Sequence, residues 1–150
     1  EKEQELRDQV IKEDKYNVFE SSTPKVSFVL FPPAQGSILQ KYNAGNKHLA
    51  VTIALTNNTP IKSVAAGTII FFFFLPSSGY VVIVRHKDDI LSVYKNAASV
   101  TKKQGNTVKA GEVIALAGNA NTVQNSGATL HFELWKDGFP IDPTQFINFN

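Results

Sequence analysis

Apolar residues in this chain recur mostly at every second position, the period of β-strands, rather than every third or fourth, the period of helices. Val26, Phe28 and Leu30 alternate with Ser27 and Val29 and predict a strand that stops at Phe31-Pro32-Pro33, where proline cannot donate to a ladder. His48 to Leu55 places Leu49, Val51, Ile53 and Leu55 on one face and small or polar residues on the other, which predicts a half-buried strand. Thr68 to Leu75 is apolar on both faces and predicts a central strand with its four consecutive phenylalanines in the core. Gly79 opens Y-V-V-I-V-R-H, Lys87-Asp88-Asp89 forms a turn, and I-L-S-V-Y returns from Ile90, so this stretch predicts a hairpin. Gly105 and Gly111 bracket N-T-V-K-A, and Val113 to Ala117 forms a short strand ending at Gly118. A polar loop from Asn119 to Ala128 leads into T-L-H-F-E-L-W, residues 129 to 135.

Alternation sorts that last strand. Thr129, His131, Glu133 and Trp135 share one face, and Leu130, Phe132 and Leu134 share the other. One face carries chemistry and the other carries core. Only residues 1–14 show helical spacing, with Leu6, Val10 and Ile11 forming a narrow stripe on a short amphipathic helix. The expected organisation is a helical or linker segment over residues 1–24 and one mostly β, antiparallel domain over residues 25–150.

A length of 150 residues with 43% hydrophobic content suits one buried core and is short for two domains. The net charge of +2 is unevenly placed, with seven acidic and four basic groups in residues 1–20 and six acidic and eleven basic groups in the remainder. The body is therefore about +5, which suits an anionic partner such as cell-wall polymer or a membrane surface, or simply a soluble surface rich in lysine. Its basic residues are scattered, with no interleaved aromatics of the kind that grip nucleic acid, so no nucleic-acid partner is expected. Cysteine is absent, which excludes disulfides and thiol chemistry. No apolar run reaches the ~18 residues of a membrane helix. The chain opens at Glu1 without Met or a signal-like segment, as an excised or mature fragment would, and a tether upstream stays open.

The order of these pieces from Pro32 to Phe149 resembles the lysostaphin-type, or LytM-like, zinc metallopeptidases, which cleave peptide bonds of peptidoglycan cross-links. The family's His followed four residues later by Asp is matched by His48 and Thr52. Its small-residue turn before a strand is matched by V-A-A-G-T-I-I at Gly67. The hairpin ending in Tyr-x-His is matched by V-R-H-K-D-D-I-L-S-V-Y-K-N, with Tyr94 present and Asn96 in the histidine's place. G-N-T-V-K-A-G, T-L-H-F-E and Asp142-Pro143 match a Gly-bracketed segment, the His-x-His strand and a closing Asp-Pro. The resemblance implies the LytM-like antiparallel sheet, a duplicated hybrid motif with a groove bordered by loops.

It also implies which positions matter. Active members hold zinc with the first His, the Asp and the second His of His-x-His, and handle protons with the two remaining histidines. Carried over, His48 and His131 are remnant ligands, Thr52 replaces the carboxylate, and Asn96 and Thr129 replace the catalytic pair. Catalytic zinc takes three ligands from His, Asp, Glu and Cys, and a threonine hydroxyl is a poor donor to it. Neither threonine nor asparagine titrates near neutral pH, where general acids and bases work. No cofactor is expected, and any zinc would be weakly held. Glu133 is a candidate substitute carboxylate, His86 reads as a structural histidine, and Trp135 and Tyr94 are each either groove aromatics or core.

The resulting expectation is a non-catalytic LytM-like domain of an exported, periplasmic or cell-envelope protein. It would bind peptidoglycan or regulate a cell-wall hydrolase through a groove floored by His48, Thr52, Asn96, Thr129 and His131 and flanked by Trp135. Two alternatives stay open: a zinc endopeptidase with altered ligands, and a scaffold that oligomerises through residues 1–20.

Overall fold

A computed structural model describes residues 26–118 and 128–149. Within them lie ten strands and short 3-10 turns, with no α-helix among the described residues. The strands are β1 (Ser37–Gln40), β2 (Val51–Leu55), β3 (Pro60–Lys62), β4 (Gly67–Leu75), β5 (Gly79–Arg85) and β6 (Ile90–Val100), followed by β7 (Thr107–Val108), β8 (Val113–Ala117), β9 (Ala128–Lys136) and β10 (Phe139–Ile141). They form one sheet in the order β1-β2-β9-β6-β5-β4-β7, with β10 on β9 and β8 joining β6 to β3. All of these pairings are antiparallel. The mostly β, LytM-like expectation therefore holds, while the amphipathic helix of residues 1–14 and most of the loop from Asn119 lie outside the described residues.

The core occupies one face of this sheet. Opposed residues in antiparallel strands point the same way, so the register Val51–Phe132–Tyr94–Val82–Phe72 is one continuous row across β2, β9, β6, β5 and β4. Its first four members are buried. Leu130 and Leu134 flank Phe132, and each such side chain contributes roughly 1.5–3 kcal/mol by leaving water. The rings of Tyr94 and Phe132 meet at 5.3 Å. The next residues along each strand, among them Thr52, His131 and Lys95, necessarily face the other side.

Two strand expectations need correction. Val26, Phe28 and Leu30 keep their alternation in burial, but among the described residues the segment makes only an isolated bridge, Leu30 to Ile147, and no strand there offers it a ladder. The phenylalanine run is a strand, but not a central one. β7 covers only Gly67 and Thr68 of β4, and the backbone of Gly105 and Asn106 covers Ile69. From Phe71 onward β4 has β5 on one side and no strand on the other among the described residues. Phe71, Phe73, Phe74 and Leu75 are consequently 53%, 43%, 54% and 38% exposed. Composition alone does not reveal this, since an apolar run reads the same whether one partner strand or two will flank it.

The predicted hairpin is present, with Lys87–Asp89 as a 3-10 turn between β5 and β6. Gly67 is required where it stands: a Cβ there would meet the Arg85 carbonyl and lie 2.8 Å from His86 Nδ1. That close approach seats His86 beneath the start of β4. Its Nδ1 contacts the Ala66 carbonyl at 2.8 Å and its Nε2 contacts Ser92 Oγ at 2.7 Å. A carbonyl can only accept, so Nδ1 carries the proton and Nε2 accepts from Ser92. The Ser92 and Tyr94 hydroxyls are 2.8 Å apart, and Val64 N–H donates to the tyrosine oxygen at 3.0 Å. Burial lowers the His86 pKa and pushes the Tyr94 phenol up to about 12. His86 is the structural histidine expected, and Tyr94 belongs to the core rather than to a groove.

Candidate functional site

The opposite face of the sheet gathers the residues singled out from the sequence. β2 and β9 pair so that Thr52 stands opposite His131 and Ala54 opposite Thr129. His48 precedes β2 in a small bridge with Asn43, so the strand starts three residues later than the alternation suggested. His48 Nδ1 lies 2.8 Å from the Lys41 carbonyl, which fixes the proton on Nδ1 and turns Nε2 toward Thr52. Thr52 Oγ1 is 3.4 Å from that nitrogen and 3.1 Å from His131 Nδ1. A neutral chain of donors satisfies all three groups: His131 Nδ1–H donates to the hydroxyl, and the hydroxyl donates to His48 Nε2.

This geometry tests the fit of a metal. In a tetrahedral site with bonds near 2.05 Å, neighbouring donor atoms lie about 3.3 Å apart. Thr52 Oγ1 keeps that spacing to His48 Nε2 and to His131 Nδ1, but it is a neutral hydroxyl hydrogen-bonded to both imidazoles. The spacing fits zinc and the donor set does not. No cluster of three or more His, Cys, Asp or Glu suited to a metal occurs among the described residues. Glu133, the candidate substitute, is engaged elsewhere: its carboxylate takes Lys95 Nζ at 2.6 Å and the Trp135 indole N–H at 2.9 Å.

The two positions at which the resemblance implies proton-handling histidines, Asn96 and Thr129, are tied to each other. Asn96 sits at φ 79° on β6, a left-handed conformation that asparagine tolerates better than most residues. There its amide donates to the Thr129 hydroxyl at 2.7 Å and carbonyl at 3.2 Å. Neither side chain can take up or release a proton near neutral pH. His131 is half-buried, and desolvation, then the neighbouring His48 and Lys95 charges, lower its pKa, so it stays neutral where an ordinary histidine begins to charge. Trp135 is half-buried at the far end of the same face, two alternations from His131.

Lys95 escaped the reading of the sequence. It stands opposite His131 in the β6–β9 register and places a cation beside the histidine pair. Its position one residue after the core-facing Tyr94 was the available signal, since alternation alone puts it on the site face. The structure thus brings together His48, Thr52, His131, Asn96 and Thr129 with Lys95, Glu133 and Trp135. Residues 119–127, part of the loop expected to border them, lie outside the described residues.

A chain with this sheet and this spacing invites comparison with known proteins, and the model of peptidase family M23 matches residues 46–143. The chain belongs to peptidase family M23. Among family M23 relatives, stage II sporulation protein Q of Bacillus subtilis is 34% identical over 88 residues, covering 59% of this chain and 31% of that protein. The murein hydrolase activator NlpD of Escherichia coli is 29% identical over 119 residues, 77% of this chain and 30% of that protein. The solution structure of lysostaphin superimposes with a TM-score of 0.62 at 23% identity, covering 75% of this chain and 49% of that one, a likeness of fold. The chain spans about a third of the length of the curated relatives it matches.

Proposed function

We propose that this M23 domain is a non-catalytic module of a bacterial cell-envelope protein, regulating a cell-wall hydrolase through the face where the family's metal site would stand. One observation carries the reading: the Thr52 hydroxyl links His48 and His131 in the place of a carboxylate ligand, while Asn96 is bonded to Thr129 where the reaction would need groups that titrate. Removing a general acid or base commonly costs ~10²–10⁴ in rate, and without a metal-activated water the loss is larger. The relative named as a murein hydrolase activator supports a regulatory role, and relatives named as lipoproteins support the cell envelope as its place. Direct binding of peptidoglycan by the same face is the companion reading, supported by the basic balance of residues 21–150.

The test uses dye-labelled peptidoglycan with a cell-wall amidase and this chain, together and apart. The chain alone is expected to release no dye above buffer, and to raise the amidase rate several-fold in a manner lost on His131→Ala or Asn96→Ala. Stoichiometric zinc in the purified chain, with cleavage of stem peptides abolished by His131→Ala, would establish a zinc endopeptidase with altered ligands instead.

A further inference from the structure

The site does not end at Lys95. Thr52 pairs with His131, His131 with Lys95, Lys95 with Val81 and Val81 with Phe73, one unbroken row across β2, β9, β6, β5 and β4. A parallel row runs from Glu133 through Val93 and Ile83 to Phe71. With strands about 4.8 Å apart, the first row carries the face roughly 19 Å from the threonine–histidine cluster to the phenylalanines. The face changes character along the way, from hydroxyls, imidazoles and a lysine to uncharged hydrocarbon.

At that apolar end the backbone is open as well. Beyond Ile69 the outer edge of β4 pairs with no strand among the described residues, while Phe71, Phe73, Phe74 and Leu75 expose roughly half of their surface. Proteins normally protect such an edge with lysine, an inward charge or a proline within the strand. From Gly67 to Ser78 this chain has no ionisable residue, and its only proline, Pro76, follows the strand. Open ladder groups and exposed side chains coincide from Phe71 to Leu75, where Phe72 alone packs against the core.

We infer that the outer edge of β4, from Phe71 to Leu75, is a docking site for an extended, uncharged apolar segment of a protein partner, which adds to the sheet as a further strand. Ladder hydrogen bonds would supply affinity and alternate phenylalanines the side-chain contacts, as in strand addition elsewhere. A second copy of this chain is the weaker occupant. Each half-exposed phenylalanine offers roughly 100 Å², so a two-fold pairing of β4 with β4 buries about 800 Å² in total, short of the ~1,200–2,000 Å² of stable interfaces. A single extended segment does not depend on a large two-fold interface, because the ladder hydrogen bonds of one open edge hold it. The inference deepens the functional reading above, and rests on it only in taking the partner to be a protein.

The probe is a fluorescein-labelled peptide of eight alternating valine and threonine residues, titrated into the full chain and followed by anisotropy. Saturable binding is expected, with the amides of residues 71–75 gaining protection from hydrogen exchange. Affinity should fall at least tenfold with Phe73→Lys, with Phe71→Lys as a second variant, each checked for folding by circular dichroism. It should fall likewise for a peptide N-methylated at alternate amides, which cannot complete a ladder. Equal binding by the N-methylated peptide, or no saturable binding, overturns the inference. So does a dimer in sedimentation velocity that Phe73→Lys dissolves, which would make a second copy the occupant, or binding of soluble glycan strands that the same variant abolishes. Should amidase stimulation survive Phe73→Lys but not His131→Ala, the docking inference fails and the proposed function stands. Peptide binding as expected with no amidase stimulated by the chain would leave the docking site intact and sink the proposed function.

Discussion

Two clusters of histidine and hydroxyl groups sit on opposite faces of one sheet and do opposite things. Beneath it, Val64, Tyr94, Ser92, His86 and Ala66 form an unbroken line of hydrogen bonds in which every buried group has a partner. On the other face, Lys41, His48, Thr52 and His131 form a similar line, but half in contact with water and at spacings suited to a metal. β6 contributes to both sides, with Ser92 and Tyr94 pointing inward and Lys95 outward. The same chemistry is structural where water cannot replace a lost partner, and open to change where water can.

Breaking the inner line should have the largest effect. His86→Ala removes a packed ring and takes from the buried Ser92 hydroxyl its imidazole partner, so a loss of roughly 2–4 kcal/mol in urea unfolding is expected. A loss below about 1 kcal/mol would show that the line is not sealed from water.

The outer line can be sharpened rather than broken. Thr52→Asp places a carboxylate beside two imidazole nitrogens, each about as far from Thr52 Oγ1 as neighbouring zinc ligands stand from one another, and zinc affinity should rise at least tenfold by chelator competition. Folding stability without zinc should fall by roughly 1–3 kcal/mol, because Thr52 is buried and a carboxylate there must give up water. Unchanged zinc affinity would mean that the tetrahedral spacing is coincidental.

The subtlest contrast lies in pH. Both His86 and His131 have folded pKa values lowered below the ordinary 6.5 by burial, so the unfolded chain binds more protons as pH falls. Their contribution to stability is complete above pH 6.5 and is lost as pH drops through the folded values. Because His131 is only half-buried, His131→Ala should retain most of the slope of urea midpoint against pH. Loss of most of it would reassign the pH dependence to the outer cluster.

Much of this was legible before any coordinates. The alternation in T-L-H-F-E-L-W separates Leu130, Phe132 and Leu134 from Thr129, His131 and Glu133, and the structure keeps that division because a strand's side chains must alternate. The order of the motifs located His48, Thr52, Asn96, Thr129 and His131, and those residues do converge. Lys95 and its ion pair with Glu133 were not visible, since they depend on which residue of β6 stands opposite which residue of β9. The phenylalanine run misled for a related reason: whether an apolar strand is central or at an edge depends on where β7 begins, 36 residues further along the chain than the run's first phenylalanine.

What the sequence by itself determined is the β period, the division of each strand into a core face and a site face, and the presence of Thr52, Asn96 and Thr129, none of which titrates near neutral pH. These depend on residue type and near-neighbour spacing. Only the tertiary structure decided that Thr52 bridges the two histidines, that Asn96 bonds Thr129, that Glu133 is held by Lys95 and Trp135, and that the outer half of β4 pairs with no strand among the described residues. Each of these is a contact between strands distant in sequence, and register across a sheet is fixed by the packing of all its strands together.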